Sequence, residues 1–203
     1  MLKTPLHLLQ SHRWHERRVG LFGGSFNPPH QGHLHICQVA LRNLHLDAVW
    51  WLVTPQNPLK EAGQYNSLPV RLQQTQNVIA QQPKMLAMDI EVELGTTRSY
   101  DTLQALNRCF ARTHFVFLLG MDNALRFHHW YRWREIPHLL PLAILGRPPA
   151  IQMVQNCPLR QSRHYHHHHL SRAEYVDLSP STCFWLRGNK LEDVSSSEIR
   201  KSL

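Results

Sequence analysis

Residues 18–33 read RVGLFGGSFNPPHQGH, and this stretch decides the fold of the chain. Residues 18–23 form a short apolar run that is typical of a buried strand. A helix is expected over residues 32–44, and the β-branched and aromatic run LDAVWWLVT over residues 46–54 predicts a second strand. Strand, helix and strand in this order form a βαβ unit, which requires a parallel strand pair and a right-handed crossover.

The same alternation continues through the rest of the chain. Apolar runs predict further strands, and segments with helical spacing of apolar residues predict the helices between them. The strand candidates are residues 85–92, 114–119, 140–145 and 175–178, and the helix candidates are residues 67–83, 102–110 and 122–135. This pattern predicts an α/β fold, a Rossmann-like doubly wound parallel sheet of about six strands in a single domain. We interpret residues 1–18 as a basic N-terminal arm and residues 19–203 as the domain.

Composition and charge exclude several classes of protein. The chain has 203 residues, 42% of them apolar, which excludes an intrinsically disordered or collagen-like chain. Its longest apolar run, residues 48–53, is far shorter than the roughly 20 residues that span a bilayer, so we expect no membrane partner. With 22 Lys and Arg against 14 Asp and Glu, the formal charge is +8. This charge favours an anionic partner, such as a nucleotide, a nucleic acid or an acidic surface.

The cysteines indicate the compartment. None of the four forms a CxxC pair, and a chain of this length with four cysteines does not have a disulfide framework. We therefore expect a reducing, cytoplasmic location.

Five of the 16 histidines fall at positions 164 and 166–169. Adjacent histidines lack the ligand spacing of a defined zinc site. We interpret this tract as an exposed loop that binds Ni²⁺ or Zn²⁺ loosely without a catalytic role, and we predict no metal site held by the protein itself.

The junction after the first strand carries the chemistry. Gly23 and Gly24 let the backbone approach a ligand where a Cβ would clash. The helix that follows directs its free N–H groups and its positive dipole end to the same place. His30 and His33 are three residues apart at the entry to that helix, so both rings can face one ligand. Donor imidazoles, backbone amides and a helix N-terminus together predict a polyphosphate site.

The stretch GGSFNPPHQGH, residues 23–33, resembles the [ST]-F-x-P-x-H-x-G-H signature of the nucleotidyltransferase superfamily. More narrowly, it resembles the opening of the bacterial nicotinate-nucleotide adenylyltransferases. Further blocks of that family have counterparts in the same order, with a helix-borne arginine at Arg71. These blocks are TPQNPLK at 54–60, TRSYDTL at 97–103, LGMDNAL at 119–125 followed by Trp130 and Tyr131, GRP at 146–148, and VSSSEIR at 194–200.

The resemblance implies that the 5′-phosphate of nicotinate mononucleotide attacks the α-phosphorus of ATP and expels pyrophosphate. A phosphate monoester is largely dianionic at neutral pH, so the reaction needs neither a general base nor a covalent intermediate. The protein must instead hold two anions together and neutralise the developing charge. His30, His33, Lys60 and Arg200 are the implied catalytic groups, and Mg²⁺ on the ATP triphosphate is the implied cofactor.

The same resemblance implies two sets of binding residues. Those for ATP are Gly23, Gly24, Ser25, Phe26, Gly120, Asp122, Arg147, Ser195, Ser196 and Ser197, with Gly120 and Asp122 at the ribose and Arg147 near the adenine. Those for the mononucleotide are Asn27, Thr97, Arg98, Trp130 and Tyr131. Some of these residues also have a structural explanation. Ser195 and Glu198 match a capping box, Asp122 fits a helix cap, and Trp130 fits the core.

Other functions remain open from the sequence. An adenylyltransferase that acts on nicotinamide mononucleotide or phosphopantetheine would share the histidine motif. A non-catalytic nucleic-acid-binding protein on the same fold is compatible with the charge of +8. The intact histidine motif with Lys60 and Arg200 favours the enzyme, so we expect ATP and nicotinate mononucleotide as partners and no nucleic acid. The sequence leaves open a homo-oligomer.

Overall fold

The computed structural model describes residues 12–55, 66–146 and 156–187. In these residues a seven-stranded sheet has the order β3-β2-β1-β4-β5-β7-β6, and every neighbouring pair is parallel. The strands are β1 (Arg18–Gly24), β2 (Ala48–Val53), β3 (Met85–Met88), β4 (His114–Gly120), β5 (Leu142–Gly146), β6 (His166–Leu170) and β7 (Thr182–Arg187). The predicted single-domain, doubly wound α/β fold is confirmed.

Helices connect the strands. They are α1 (Gln31–Asn43), α2 (Leu68–Ile79), α3 (Ile90–Leu94), α4 (Ser99–Cys109), α5 (Met121–Arg126), α6 (Ile136–Leu139) and α7 (Pro158–Gln161), with single 3₁₀ turns at His12–Trp14 and Phe127–His129. Pro69 stands in the first turn of α2 after Ser67, as the sequence predicts, although the Ser67 side chain makes no capping hydrogen bond.

The sheet is buried on both faces. Trp50 and Trp51 are neighbours on β2, both 0% exposed, and they belong to two different apolar clusters. Successive side chains of a strand point to opposite faces, so these clusters lie on the two sides of the sheet. The α1 residues Leu34 and Ile36 belong to the Trp51 cluster, and the α4 residue Leu103 belongs to the Trp50 cluster. Burial on both faces explains why the strands read as continuous apolar runs.

The strand order reverses at β1. The chain runs outward from β1 to β2 and β3, and then returns to place β4 on the other side of β1. Ligands of open α/β sheets bind beyond the carboxyl ends of the strands at such a switch point. The candidate binding crevice therefore lies beside Gly24 at the end of β1 and Gly120 at the end of β4.

Most boundaries differ by a few residues from the sequence prediction, and two of the differences change the kind of structure that a segment adopts. Residues 90–92 were expected to extend the strand at 85–92, but they lie in α3, which is capped after Leu94 by Gly95 with a left-handed φ of 63°. The helix expected over residues 122–135 ends as α5 at Arg126. Arg132, with φ 51°, has left-handed backbone geometry that a continuous right-handed helix excludes.

The strand predicted at residues 175–178 is wrong, because those residues have no regular structure. The expected loop at the histidine tract is also wrong, because His166–Leu170 is the edge strand β6. The side chain of His167 stabilises this strand through hydrogen bonds of both its ring nitrogens. Its Nδ1 accepts from Nε1 of Trp185 at 3.1 Å, and its Nε2 bonds to the carbonyl of Ser162 at 2.9 Å. His166, His168 and His169 are exposed.

Part of the segment interpreted as a basic arm packs on the sheet. Trp14 is 6% exposed, and its ring meets that of Trp50 edge-on at 5.0 Å. The hydroxyl of Thr113 donates to the Trp14 carbonyl at 2.9 Å. Residues 1–11 lie outside the described residues, so the arm and the domain boundary remain predictions. In the described part of the chain, no helix has the length and apolar character needed to cross a membrane.

Candidate active site

The loop between β1 and α1 forms the centre of the site. Gly24 ends β1, and a Cβ at this position would lie 2.9 Å from the ring of Phe26. Phe26 has φ 44°, a left-handed geometry, and its side chain is 2% exposed. Gly24 is thus required by the tight turn that buries Phe26, whereas a Cβ at Gly23 would make only ordinary contacts.

His30 and His33 hold each other at the start of α1. His30 is the N-cap residue, and its Nδ1 accepts from the backbone N–H of Gly32 at 3.1 Å. The backbone N–H of His30 donates to Nδ1 of His33 at 3.2 Å. The two ring centroids are 3.8 Å apart. This is a reciprocal capping box in which imidazoles take the places of the usual hydroxyl and carboxylate.

The capping bonds fix the tautomer of both imidazoles. A neutral imidazole has one N–H donor and one acceptor nitrogen. Because both Nδ1 atoms accept from the backbone, the hydrogen of each ring is on Nε2. Two Nε2–H donors therefore lie side by side at the positive end of α1, whose first turn contains no acidic residue. Such a donor set suits phosphate oxygens.

An aromatic wall supports His33. The ring of Phe26 meets that of His33 edge-on at a centroid distance of 5.2 Å. Phe22 and Trp51 lie behind it, with centroids 6.0 and 6.3 Å from the His33 ring. His33 is half-buried, and His30 is 8% exposed. Close packing of this kind limits the rotamers of the catalytic candidates before any ligand arrives.

Arg71 ties the loops around this junction together. It is 2% exposed, and its guanidinium donates to the carbonyls of Ser25 at 2.6 Å, Thr54 at 2.8 Å, Pro55 at 2.8 Å and Asn66 at 2.9 Å. The fork of N–H donors on a guanidinium can serve several carbonyls at once, which a lysine cannot do. The sequence placed Arg71 within the family pattern but assigned it no role.

Asn27 takes part in the same loop framework. Its side chain is 4% exposed, and its Oδ1 accepts from the backbone N–H of Asn66 at 3.2 Å. Both Asn27 and Phe26 are buried and support the loop, and the ligand contacts predicted for them remain predictions.

The β4 side of the crevice is more open. Gly120 is the N-cap of α5, and a Cβ there would lie 3.3 Å from Cδ1 of Ile36 in α1. Asp122 follows in the first turn of α5 and is exposed. The N-cap position of this helix is occupied by Gly120, so Asp122, in the first turn, is not the N-cap residue itself.

A stack of aromatic and cationic groups joins the start of α4 to the turn after α5. The guanidinium carbon of Arg98 lies 4.3 Å from the ring centroid of Tyr131, and that of Arg132 lies 4.1 Å from Tyr100. The two tyrosine rings meet edge-on at 6.3 Å. This arrangement brings together two residues that were predicted to bind the mononucleotide, Arg98 and Tyr131, and Thr97 is adjacent in the chain and exposed.

Trp130 precedes Tyr131 in the chain and packs on the core. Its ring is 5.3 Å from Phe127 and 6.2 Å from Phe117, and it packs against the core while remaining partly exposed. Core packing is thus part of its role, and its exposed portion stays available to a ligand.

Several predicted residues lie outside the described residues: Lys60, Arg147, Ser195, Ser196, Ser197 and Arg200. Their roles remain predictions. In the described ranges, no three His, Cys, Asp or Glu side chains are grouped so that they could hold a metal ion.

Glu91 and Thr102 form a polar contact that the sequence analysis did not assign. Glu91 is 5% exposed and accepts from the hydroxyl of Thr102 at 3.0 Å. The sequence offers no signal for this burial, because Glu93 stands between Val92 and Leu94 in the same context and is exposed.

Comparison with known proteins identifies the class. The sequence pattern of the cytidylyltransferase-like family matches residues 21–202. A solved nicotinic acid mononucleotide adenylyltransferase of Plasmodium falciparum, complexed with NaAD, superimposes with a TM-score of 0.68. That match covers 91% of this chain and 83% of the other at 18% identity, so it supports the fold. The chain belongs to the cytidylyltransferase-like family, and it is a nucleotidyltransferase.

Curated relatives narrow the assignment to the nicotinate-nucleotide adenylyltransferases. A protein of Ruegeria pomeroyi named as a probable nicotinate-nucleotide adenylyltransferase is 40% identical over 195 residues, 90% of this chain and 84% of the relative. A Bradyrhizobium protein with the same name is 39% identical over 90% of this chain and 95% of its own length. A third relative, from Parvibaculum lavamentivorans, is 48% identical, but the match covers 64% of this chain and 65% of the relative.

Proposed function

We propose that this protein transfers the adenylyl group of ATP to nicotinate mononucleotide, which gives nicotinate adenine dinucleotide and pyrophosphate in NAD biosynthesis. The observation that carries the proposal is the reciprocal cap of His30 and His33, which fixes two Nε2–H donors beside the β1–β4 switch point. The names of the relatives supply the substrate.

The chemistry requires one bond to form and one to break. An oxygen of the mononucleotide phosphate attacks the α-phosphorus of ATP, and the bond to the bridging oxygen of the β-phosphate breaks in line with it. The nucleophile is already an anion, so no proton needs to be removed from it. In this proposal His30 and His33 donate from Nε2 to the phosphate oxygens on which charge develops, and the pyrophosphate leaves with its negative charge compensated.

Lys60 and Arg200 supply the further positive charge in this proposal, and Ser195, Ser196 and Ser197 supply hydroxyl donors. On the ATP side, Gly23, Gly24, Ser25 and Phe26 contribute backbone groups, Gly120 and Asp122 contact the ribose, and Arg147 contacts the adenine. The burial of Phe26 supports a contact through its backbone.

Mg²⁺ fits this site as an ion that is bound by the triphosphate of ATP. The groups gathered at the start of α1 are N–H donors, which suit phosphate oxygens and do not ligate a cation. The triphosphate itself therefore holds the ion in our proposal, and the ion neutralises charge on the phosphates when it is bound.

The mononucleotide is proposed to bind between Thr97, Arg98, Trp130 and Tyr131, with Asn27 supporting the loop. An aromatic face suits a cationic pyridinium ring. The exposed guanidinium of Arg98, stacked on Tyr131, favours the acid form of the substrate over the amide form, because it can pair with a carboxylate. We further propose that the protein acts in the cytoplasm, since all four cysteines are free thiols.

One assay tests the proposal. The protein is incubated with ATP, Mg²⁺ and, separately, nicotinate mononucleotide, nicotinamide mononucleotide or phosphopantetheine, and pyrophosphate release is followed. We expect nicotinate mononucleotide to exceed the other two by about tenfold or more in kcat/KM. A preference for either alternative would overturn the assigned substrate. Nucleic-acid retention with a steep salt dependence and no turnover would favour a binding protein instead.

A further inference from the structure

Glu91 is a buried acid that the proposed reaction does not use. It lies in α3, just beyond the carboxyl end of β3, and 5% of its surface is exposed. Its Oε1 accepts a hydrogen bond of 3.0 Å from Oγ1 of Thr102 in α4. Burial of a polar group is costly unless it is hydrogen-bonded, so this hydroxyl makes the buried position tolerable.

The hydroxyl of Thr102 also reaches the segment that connects α3 to α4. Its Oγ1 lies 2.8 Å from Oγ1 of Thr96 and 3.2 Å from the carbonyl oxygen of Arg98. The backbone N–H of Thr96 donates in turn to the carbonyl of Glu91 at 3.0 Å. One hydroxyl of α4 therefore links Glu91 in α3 to Thr96 in the connecting segment.

The direction of these hydrogen bonds follows from counting protons. A hydroxyl has one hydrogen to donate and can accept with its lone pairs, and an ionised carboxylate can only accept. When Glu91 is ionised, Thr102 must donate to Glu91, and Thr96 must donate to Thr102. The three groups then form one oriented chain, and loss of the Thr102 hydroxyl leaves both of its neighbours without this partner.

The connecting segment carries two of the residues proposed to bind the mononucleotide. Thr97 and Arg98 are exposed, and the Arg98 guanidinium stacks on Tyr131 at 4.3 Å. Two contacts with Thr102 flank Thr97 on both sides: the Thr102 hydroxyl bonds the Thr96 side chain, and the Thr102 backbone N–H donates to the Arg98 carbonyl at 3.1 Å. A shift of these contacts would move Thr97 and Arg98 together.

We infer that Glu91 and Thr102 are positioning residues, which hold residues 96–98 in the geometry that binds the pyridine mononucleotide. The inference rests on the proposed function, since that function assigns the ligand of this segment. Its signature is weaker binding of the mononucleotide with unchanged binding of ATP, because ATP is proposed to bind at the separate His30 junction.

Titration calorimetry with nicotinate mononucleotide alone tests this inference without turnover. Thr102→Val keeps the shape of the side chain and removes the hydroxyl, and we expect its Kd to rise about five- to tenfold, less than a hydrogen bond to a charged group contributes, because the hydroxyl acts on the ligand only through residues 96–98. Thr102→Ser restores the hydroxyl and should lie within about twofold of the wild type. Thr75→Val is a matched control, because Thr75 is a buried helical threonine whose hydroxyl bonds the carbonyl of Arg71 within α2.

A second variant covers the case in which Thr102→Val does not fold. Thr96→Val removes the Thr96 hydroxyl, which is the outer member of the hydrogen-bond chain and lies at a half-buried position. We expect a rise in Kd of about two- to fourfold. The KM for ATP should stay within about twofold of the wild type in each variant. A wild-type Kd for both valine variants, an equal effect of Thr75→Val, or a parallel rise in the KM for ATP would overturn the inference.

The two proposals fail in different ways. A wild-type protein that binds the mononucleotide but releases no pyrophosphate contradicts the proposed function and leaves the calorimetric comparison valid. A wild-type protein that does not bind the mononucleotide overturns both.

Discussion

Nη1 of Arg71 lies 2.6 Å from the carbonyl oxygen of Ser25. This contact ties α2, which connects β2 to β3, to the loop between β1 and α1. The same guanidinium also bonds Thr54, Pro55 and Asn66. The loop that presents His30 is thus fixed by a buried cation that is distant in sequence. Its geometry depends on the fork shape of the guanidinium as well as on its charge.

Arg71→Lys should therefore lower the free energy of unfolding by about 2–4 kcal/mol, because a lysine cannot reach all four carbonyls and leaves some of them unpaired. Urea unfolding measures this change. Arg108→Lys on the exposed side of α4 is the control, and it should have no measurable effect. Equal stability of the two variants would show that the carbonyl contacts of Arg71 do not support the loop.

Stability should also depend on pH through Glu91. Burial raises the pKa of Glu91 from 4.5 to about 7, although the hydrogen bond from Thr102 acts in the opposite direction. Between pH 4.5 and 7 the folded state then holds more protons than the unfolded state, so stability falls as the pH rises through this window. Glu91→Gln has no proton to lose, and its loss of stability should be smaller by on the order of a few kcal/mol.

Urea unfolding at pH 5 and pH 8 checks this prediction. The exposed neighbour Glu93 provides the control, and Glu93→Gln should follow the wild type at both pH values. A Glu91→Gln variant that loses as much stability as the wild type between the two conditions would show that Glu91 ionises at an ordinary pH in the folded protein.

Arg98 should contribute to the choice between acid and amide substrates. Arg98→Ala removes the guanidinium that stacks on Tyr131, and we expect the ratio of kcat/KM for nicotinate over nicotinamide mononucleotide to fall about fivefold or more, because a charge-assisted contact is lost. Arg126→Ala in α5 is the exposed control. If the ratio stays at the wild-type value in both variants, the discrimination comes from other donors in the site.

The fold could be predicted from the sequence because its strands are buried on both faces. Segments such as residues 48–53 and 114–119 are continuous apolar runs, and burial of both faces needs little context to recognise. The strand β6 could not be predicted, since its sequence HHHHL is polar and its edge position lets three of its histidines stay exposed. The helix predicted over residues 122–135 stops early because a 3₁₀ turn follows Arg126 and the backbone of Trp130 is extended, and no proline or glycine in that stretch marks the break.

The chemistry of the candidate site could be predicted from the sequence, whereas the hydrogen bonds that hold its residues in place could not. The spacing of His30 and His33 at a helix start was sufficient to indicate a donor pair. The Nε2 tautomer depends on backbone bonds that the loop geometry creates, and the four carbonyls around Arg71 come from three separate segments. The contact of Glu91 with Thr102 likewise arises only when α3 and α4 fold back on each other.

The Nε2–H donor of His33 is the central claim, and the rate of pyrophosphate release by His33→Asn tests it most directly. The asparagine Oδ1 can replace Nδ1 as the acceptor for the His30 N–H, whereas the donor at Nε2 is lost. We expect urea unfolding within about 0.5 kcal/mol of the wild type and turnover lower by about 10²–10³, while His164→Ala in the histidine tract keeps full activity. A stable His33→Asn variant with wild-type turnover would contradict the account.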